Sequence, residues 1–127
     1  MKRALVAIGL AALMVLASAP ATAGENEFSR GVTIREPVHA HPGLLIRGQV
    51  SSDEFNCSAF QTVLIQRRRG GAWHSVGIDV TNENRRYREV VSDRNGRYRA
   101  VVRRSIFGDG AVCLRGVSEV VISSLSS

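Results

Sequence analysis

Apolar residues run on, broken only by Gly9, from Ala4 to Ala17; after residue 23 they come in short stretches that alternate with polar ones. The long run is preceded by the basic Met1-Lys2-Arg3 and followed by Pro20 and the small-residue triplet Ala21-Thr22-Ala23. A positive start, an apolar segment short for a bilayer span and an A-x-A cleavage site together read as a secretory signal peptide over residues 1–23. The mature chain is then expected to begin at Gly24, to carry no stable membrane span and to be secreted, either periplasmic or extracellular.

Beyond that leader the 3.6-residue period of an amphipathic helix is absent and a period of two replaces it. Tyr98, Ala100 and Val102 share one face, while Arg97, Arg99 and Arg103 share the other with Val101, as in a half-buried strand. Similar stretches over 31–36, 44–51, 62–68, 72–80, 86–92, 97–104 and within 111–122 are separated by turn residues such as Pro42-Gly43 and Gly70-Gly71. The Asp93-Arg94-Asn95-Gly96 turn is expected to close a tight hairpin, with Asp93 accepting a backbone N–H and Gly96 supplying a positive φ. Residues 24–30 read as a flexible arm and 31–127 as one domain. About seven short strands without a helix predict an all-β antiparallel β-sandwich. Its core is expected to hold Val50, Val63, Ile65, Trp73, Val76, Ile78, Tyr98, Ala100, Val102 and Val121.

Charge and cysteine count sharpen this picture. The chain has 17 basic and 11 acidic residues, a net charge of +6. Lys2 and Arg3 belong to the leader, so the mature chain would carry +4, and every basic residue in it is arginine. The two cysteines, Cys57 and Cys113, are expected to form a disulfide, as an even count in an exported chain implies. Arginine clusters at Arg67-Arg68-Arg69, at Arg85, Arg86 and Arg88, and from Arg94 through Arg97, Arg99, Arg103 and Arg104. One reading is a solvated face balanced by Glu83, Glu89 and Asp93. The other is an anion-binding face of Arg67, Arg68, Arg69, Arg88, Arg97, Arg99 and Arg103, because guanidinium pairs bidentately with carboxylate and phosphate. Teichoic acid, lipopolysaccharide or an acidic glycan would suit it. Nucleic acid is not expected, since base-stacking aromatics are few.

Catalytic chemistry has little to stand on. His39 and His41 could begin a metal site, with His74 as third ligand, but Pro37 and Pro42 beside them mark a loop. Two cysteines without a histidine at ligand spacing do not make a zinc site. There is no Gly-x-Ser-x-Gly elbow and no phosphate-binding glycine loop, and Asp53-Glu54 reads as a solvated pair. No catalytic residue, resident metal or cofactor is therefore expected. Trp73 reads as a core anchor, with a stacking platform as the alternative.

Val50, the Thr62–Arg67 stretch, the Gly71–Val76 segment and Ser92–Ala100 resemble bacterial exported immunoglobulin-like domains, the prealbumin-like and carboxypeptidase-regulatory-like groups in particular. The resemblance spans 44–104 and implies a non-catalytic module for adhesion, binding or spacing; no catalytic set transfers. The order Cys57, Trp73, Cys113 is also similar to the immunoglobulin signature. However, Ala111 stands where that signature has a tyrosine, and Cys57 precedes the Thr62 strand. The expected function is thus a secreted or envelope-associated binding module of unknown partner. The alternatives are a small inhibitor or effector acting on one protein through 53–59 or 107–110, and a metal-dependent or hydrolytic enzyme using His39, His41 and His74.

Overall fold

The computed structural model describes residues 26–92 and 95–124. The expected signal peptide lies outside them, as do Gly24, Glu25, the turn residues Asp93 and Arg94, and Leu125 to Ser127. The described chain is all-β apart from a 3-10 turn over Phe55–Cys57. Its strands are β1 (Glu27–Phe28), β2 (Gly31–Val32), β3 (Val38–Ala40), β4 (Gly43–Ser51), β5 (Thr62–Arg69), β6 (Ala72–Val80), β7 (Arg86–Ser92), β8 (Gly96–Val102), β9 (Ser105–Phe107), β10 (Ala111–Cys113), β11 (Gly116–Val117) and β12 (Val121–Ser123).

Two antiparallel sheets give the molecule its β-sandwich-like form. In sheet I, β4 pairs with β7 on one side, and β2 and β3 share its other side. In sheet II the order is β6–β5–β8, and β11 and β12 share the far edge of β8. A small third sheet sets β10 between β9 and a parallel β1.

The period of two decides what is buried. Leu44, Ile46 and Val50 of β4 and Tyr87 and Val91 of β7 meet Val63 and Ile65 of β5 and Tyr98, Ala100 and Val102 of β8, with Val32 and Ile34 completing the cluster. Val121 packs against it from the edge. Burial of these side chains drives the two sheets together, at about 1.5–3 kcal/mol for each large apolar residue fully removed from water.

Three expected core residues lie elsewhere. A bulge between Ile65 and Gln66 pairs Ile65 with Gly77 but Gln66 with Ser75, which leaves Val76 as the extra residue. Gly77 therefore occupies the inner face, where a Cβ would come within 3.0 Å of Val91 Cγ1 and 2.9 Å of Glu89 Cγ. Its neighbour Ile78 then faces outward opposite Leu64, and both Ile78 and Val76 are exposed. Trp73 is half-buried on the same outer face.

β7 and β8 are not hairpin partners. β7 pairs with β4 and β8 pairs with β5, so the link between them runs from sheet I to sheet II. Gly96 has a φ of 153°, and a Cβ there would meet Arg67 Nε at 2.8 Å. The 24–30 stretch is also not a free arm over its described part. β1 pairs with β10, the Phe28 and Phe107 rings lie 6.4 Å apart, and Val112 N donates to Asn26 O at 2.7 Å.

The expected disulfide is present: Cys57 on the 3-10 turn is bonded to Cys113 of β10, and both are buried. It joins the link after β4 to the small third sheet. Glu54 caps the turn by accepting from Asn56 N at 3.1 Å.

Tyr87 gives the core a pH-sensitive member. Its hydroxyl donates to Thr33 O at 2.7 Å, and burial pushes its pKa above the ordinary 10.0. Ionisation then begins in the unfolded chain first, so stability is constant below about pH 10 and falls above it, by at most about 1.4 kcal/mol per pH unit. Urea unfolding of the native chain and of Tyr87→Phe at pH 9 and 11 should show a smaller alkaline loss for the variant. Equal losses would mean that Tyr87 is not the group responsible.

Candidate functional site

Outward positions of sheet I carry the arginines of a groove on that face. On β4, Leu45, Arg47 and Gln49 face away from the core; on β7, Val90, Arg88 and Arg86 lie opposite them in that order. The chain before β3 runs along the same side, held by Thr33 N donating to Gln49 O and Arg35 N donating to Arg47 O, both at 2.9 Å. The resulting groove measures about 710 Å³ and is lined by Arg35, Arg47, Arg86 and Arg88.

Charge in this groove is unbalanced. Asp79 is the sole carboxylate among the described residues lining it. Its Oδ2 accepts the Arg88 backbone N–H at 2.7 Å. Arg47 and Arg88 are direct cross-strand partners, an arrangement of like charges that weakens a sheet. Arg47 Nε is buried and makes no hydrogen bond. A buried guanidinium N–H without an acceptor costs free energy, which an anion in the groove would offset.

The outer face of sheet II holds a second basic group of different construction. Arg99 Nε donates to Gln66 Oε1 at 2.8 Å, and its guanidinium sits 4.4 Å from the centre of the Trp73 ring. Arg68 approaches the same ring at 5.9 Å. Burial lowers the Arg99 pKa, and the neighbouring charges of Arg115 and Arg68 lower it further. These contacts engage Arg99 and Trp73 with each other.

The seven arginines expected to share one anion-binding face are thus divided. Arg88 is on sheet I. Arg68, Arg97 and Arg99 are on the outer face of sheet II. Arg67 turns toward the end of the sheet and donates through Nε and Nη2 to Asn95 O, at 3.2 and 2.8 Å. Arg69 and Arg103 are exposed, Arg69 at the end of β5 and Arg103 just past the end of β8. Arg35, Arg47 and Arg86, which complete the groove with Arg88, were outside the expected set. Arg47 is isolated in sequence, and only the pairing of β4 with β7 brings it beside Arg86 and Arg88.

The histidines are also separated. His39 is on β3 of sheet I and His41 follows it, whereas His74 is on β6 of sheet II, opposite Arg67. Among the described residues no three His, Cys, Asp or Glu side chains group as a metal site. Comparison of the chain with known protein families, curated proteins and solved structures found no match.

Proposed function

We propose that this protein is an exported, non-catalytic binding module of the immunoglobulin-like kind that takes an anionic polymer along the arginine groove of sheet I. The observation that carries the reading is Arg47, directly opposite Arg88, with its Nε buried and without an acceptor. An open groove suits a polymer better than a small ligand, because successive anionic groups can pair with successive arginines. The immunoglobulin-like part is supported by strand order: β2–β4–β7 opposite β6–β5–β8–β11 follows the A-B-E and C′-C-F-G arrangement. The Cys57–Cys113 bridge favours an oxidising compartment. No helix among the described residues is long and apolar enough to cross a membrane.

Retention on immobilised heparin tests the reading. The native chain should be retained and elute with added salt, since exposed charge contacts are screened. Arg47→Ser/Arg88→Ser should elute earlier, with the slope of log affinity against log salt reduced by about one per arginine lost. Its melting temperature should not fall, because the substitution removes a like-charge pair. Arg97→Ser/Arg103→Ser should elute near the native position. Flow-through of the native chain, or equal shifts for both double variants, would refute the groove assignment.

A further inference from the structure

A second cavity lies where the start of β5, the end of β6 and the segment after β8 come together. It measures about 390 Å³, within the range of small-molecule sites. Its lining divides into two parts. One is basic, with Arg30, Arg103 and Arg104, and no carboxylate is among the described lining residues. The other is apolar, with Phe60, Leu64 and Ile78, of which Phe60 and Ile78 are 63% and 55% exposed.

Arg30 is the unusual member. It is nine-tenths buried, with 9% of its surface exposed. Nη2 donates to Ser105 Oγ at 2.7 Å and to Cys113 O at 3.3 Å, while Nε and Nη1 are buried without any acceptor. Both of its partners are neutral oxygens, so neither supplies a counter-charge. Burial accordingly lowers its pKa. A buried charge of this kind is normally paired or ligated. Ser105 lines the same cavity, so the Arg30 guanidinium and its hydroxyl partner belong to one wall.

We infer that this cavity takes a small amphipathic anion, of the class of medium-chain carboxylates, with its head on Arg30, Arg103 and Arg104 and its chain over Leu64, Ile78 and Phe60. The three arginines answer the charge, and the exposed apolar side chains gain cover from the chain. A fully hydrophilic anion would leave Phe60 and Ile78 in water, and a neutral amphiphile would leave Arg30 unpaired.

Calorimetric titration of the disulfide-bonded protein with sodium decanoate, below its micelle concentration, tests the inference. Saturable binding at one site per chain is expected. Decanol should bind more weakly by about ten-fold or more, the loss associated with a charged hydrogen bond. Arg103→Ser/Arg104→Ser should weaken decanoate by a similar factor, and Arg30→Met should abolish it while circular dichroism shows the fold intact. If Arg30→Met does not fold, the Arg103→Ser/Arg104→Ser pair and Ile78→Ser, which should also weaken binding, carry the test. Arg47→Ser/Arg88→Ser should leave decanoate binding unchanged, which separates this site from the heparin groove. Absence of saturable heat, equal binding of decanol, or indifference to the Arg103/Arg104 change would overturn the proposal. So would binding confined to phosphatidylglycerol vesicles, because the ligand would then be a membrane surface.

Discussion

Alanine in place of Gly48 is expected to lower the unfolding free energy by about 4 kcal/mol, comparable with the whole stability of a small domain. Gly48 lies in the middle of β4, at a position whose side would face inward with Ile46 and Val50. A Cβ there would run into the Thr33 carbonyl oxygen, lie 2.8 Å from the Thr33 carbonyl carbon and stand 2.5 Å from Tyr87 Oη. The Thr33 atoms are backbone and cannot swing aside. They are held by Thr33 N to Gln49 O at 2.9 Å and by Gln49 N to Thr33 Oγ1 at 3.0 Å. Relief therefore requires that the segment before β3 separate from β4, which breaks the Tyr87 Oη to Thr33 O bond. Overpacking costs about 1–3 kcal/mol and an orphaned buried donor about 1–3 more. Guanidinium unfolding measures the sum, and Tyr87→Phe, which removes the hydroxyl alone, should lose much less. A Gly48→Ala variant within about 1 kcal/mol of the native chain would show that β4 and the Thr33 segment are not this close.

Local elements were largely legible in the sequence. The expected stretches 72–80 and 86–92 coincide with β6 and β7, and 62–68 and 44–51 each differ by one residue from β5 and β4. Alternation is a local signal, and it placed Tyr98, Ala100 and Val102 inward correctly. Pairing is not local. The Asp-x-Asn-Gly pattern reports that the chain bends, and nothing in it says whether the next strand returns to the same sheet or crosses to the opposite one. Here β7 takes β4 as its partner, and β8 is held by β5 on one edge and by β11 and β12 on the other. The face of β6 was misjudged for a related reason. Val76 and Ile78 are apolar at spacing two, but Gly77 between them is the residue opposite core Ile65. A glycine shows no apolar character by which to mark an inner position.

The same distinction explains the arginines. Runs such as Arg67-Arg68-Arg69 stand out in a linear reading, yet successive residues of a strand point to opposite faces, so a run disperses its charge. The groove instead draws single arginines from β4 and from the segment before β3, and every second residue from β7. Charge density along the sequence and charge density on the folded surface are therefore different quantities in a β protein. Strand register, not clustering along the sequence, selects which arginines meet.

Loss of the Cys57–Cys113 bridge is the other change expected to approach the stability limit. The bonded cysteines are 56 residues apart, and chain entropy assigns about 4 kcal/mol to closing a loop of that length. Cys57→Ala/Cys113→Ala should therefore unfold at much lower guanidinium concentration than the native chain, with the effect reproduced by reducing the native protein. The loss should not be uniform. β10 is the strand through which β1 and β9 are held, and apart from the bridge it is tied mainly by backbone bonds such as Leu114 N to Phe28 O at 2.9 Å and by Arg30 to Cys113 O. β5, by contrast, is paired along both edges at the centre of sheet II. Amide exchange in the variant should therefore rise first at Val112 and Leu114, while Ile65 and Ala100 keep more of their protection. Uniform acceleration would mean that the bridge acts only through the unfolded chain. A midpoint shift worth less than about 1 kcal/mol would mean that the small sheet holds Cys57 and Cys113 together without it.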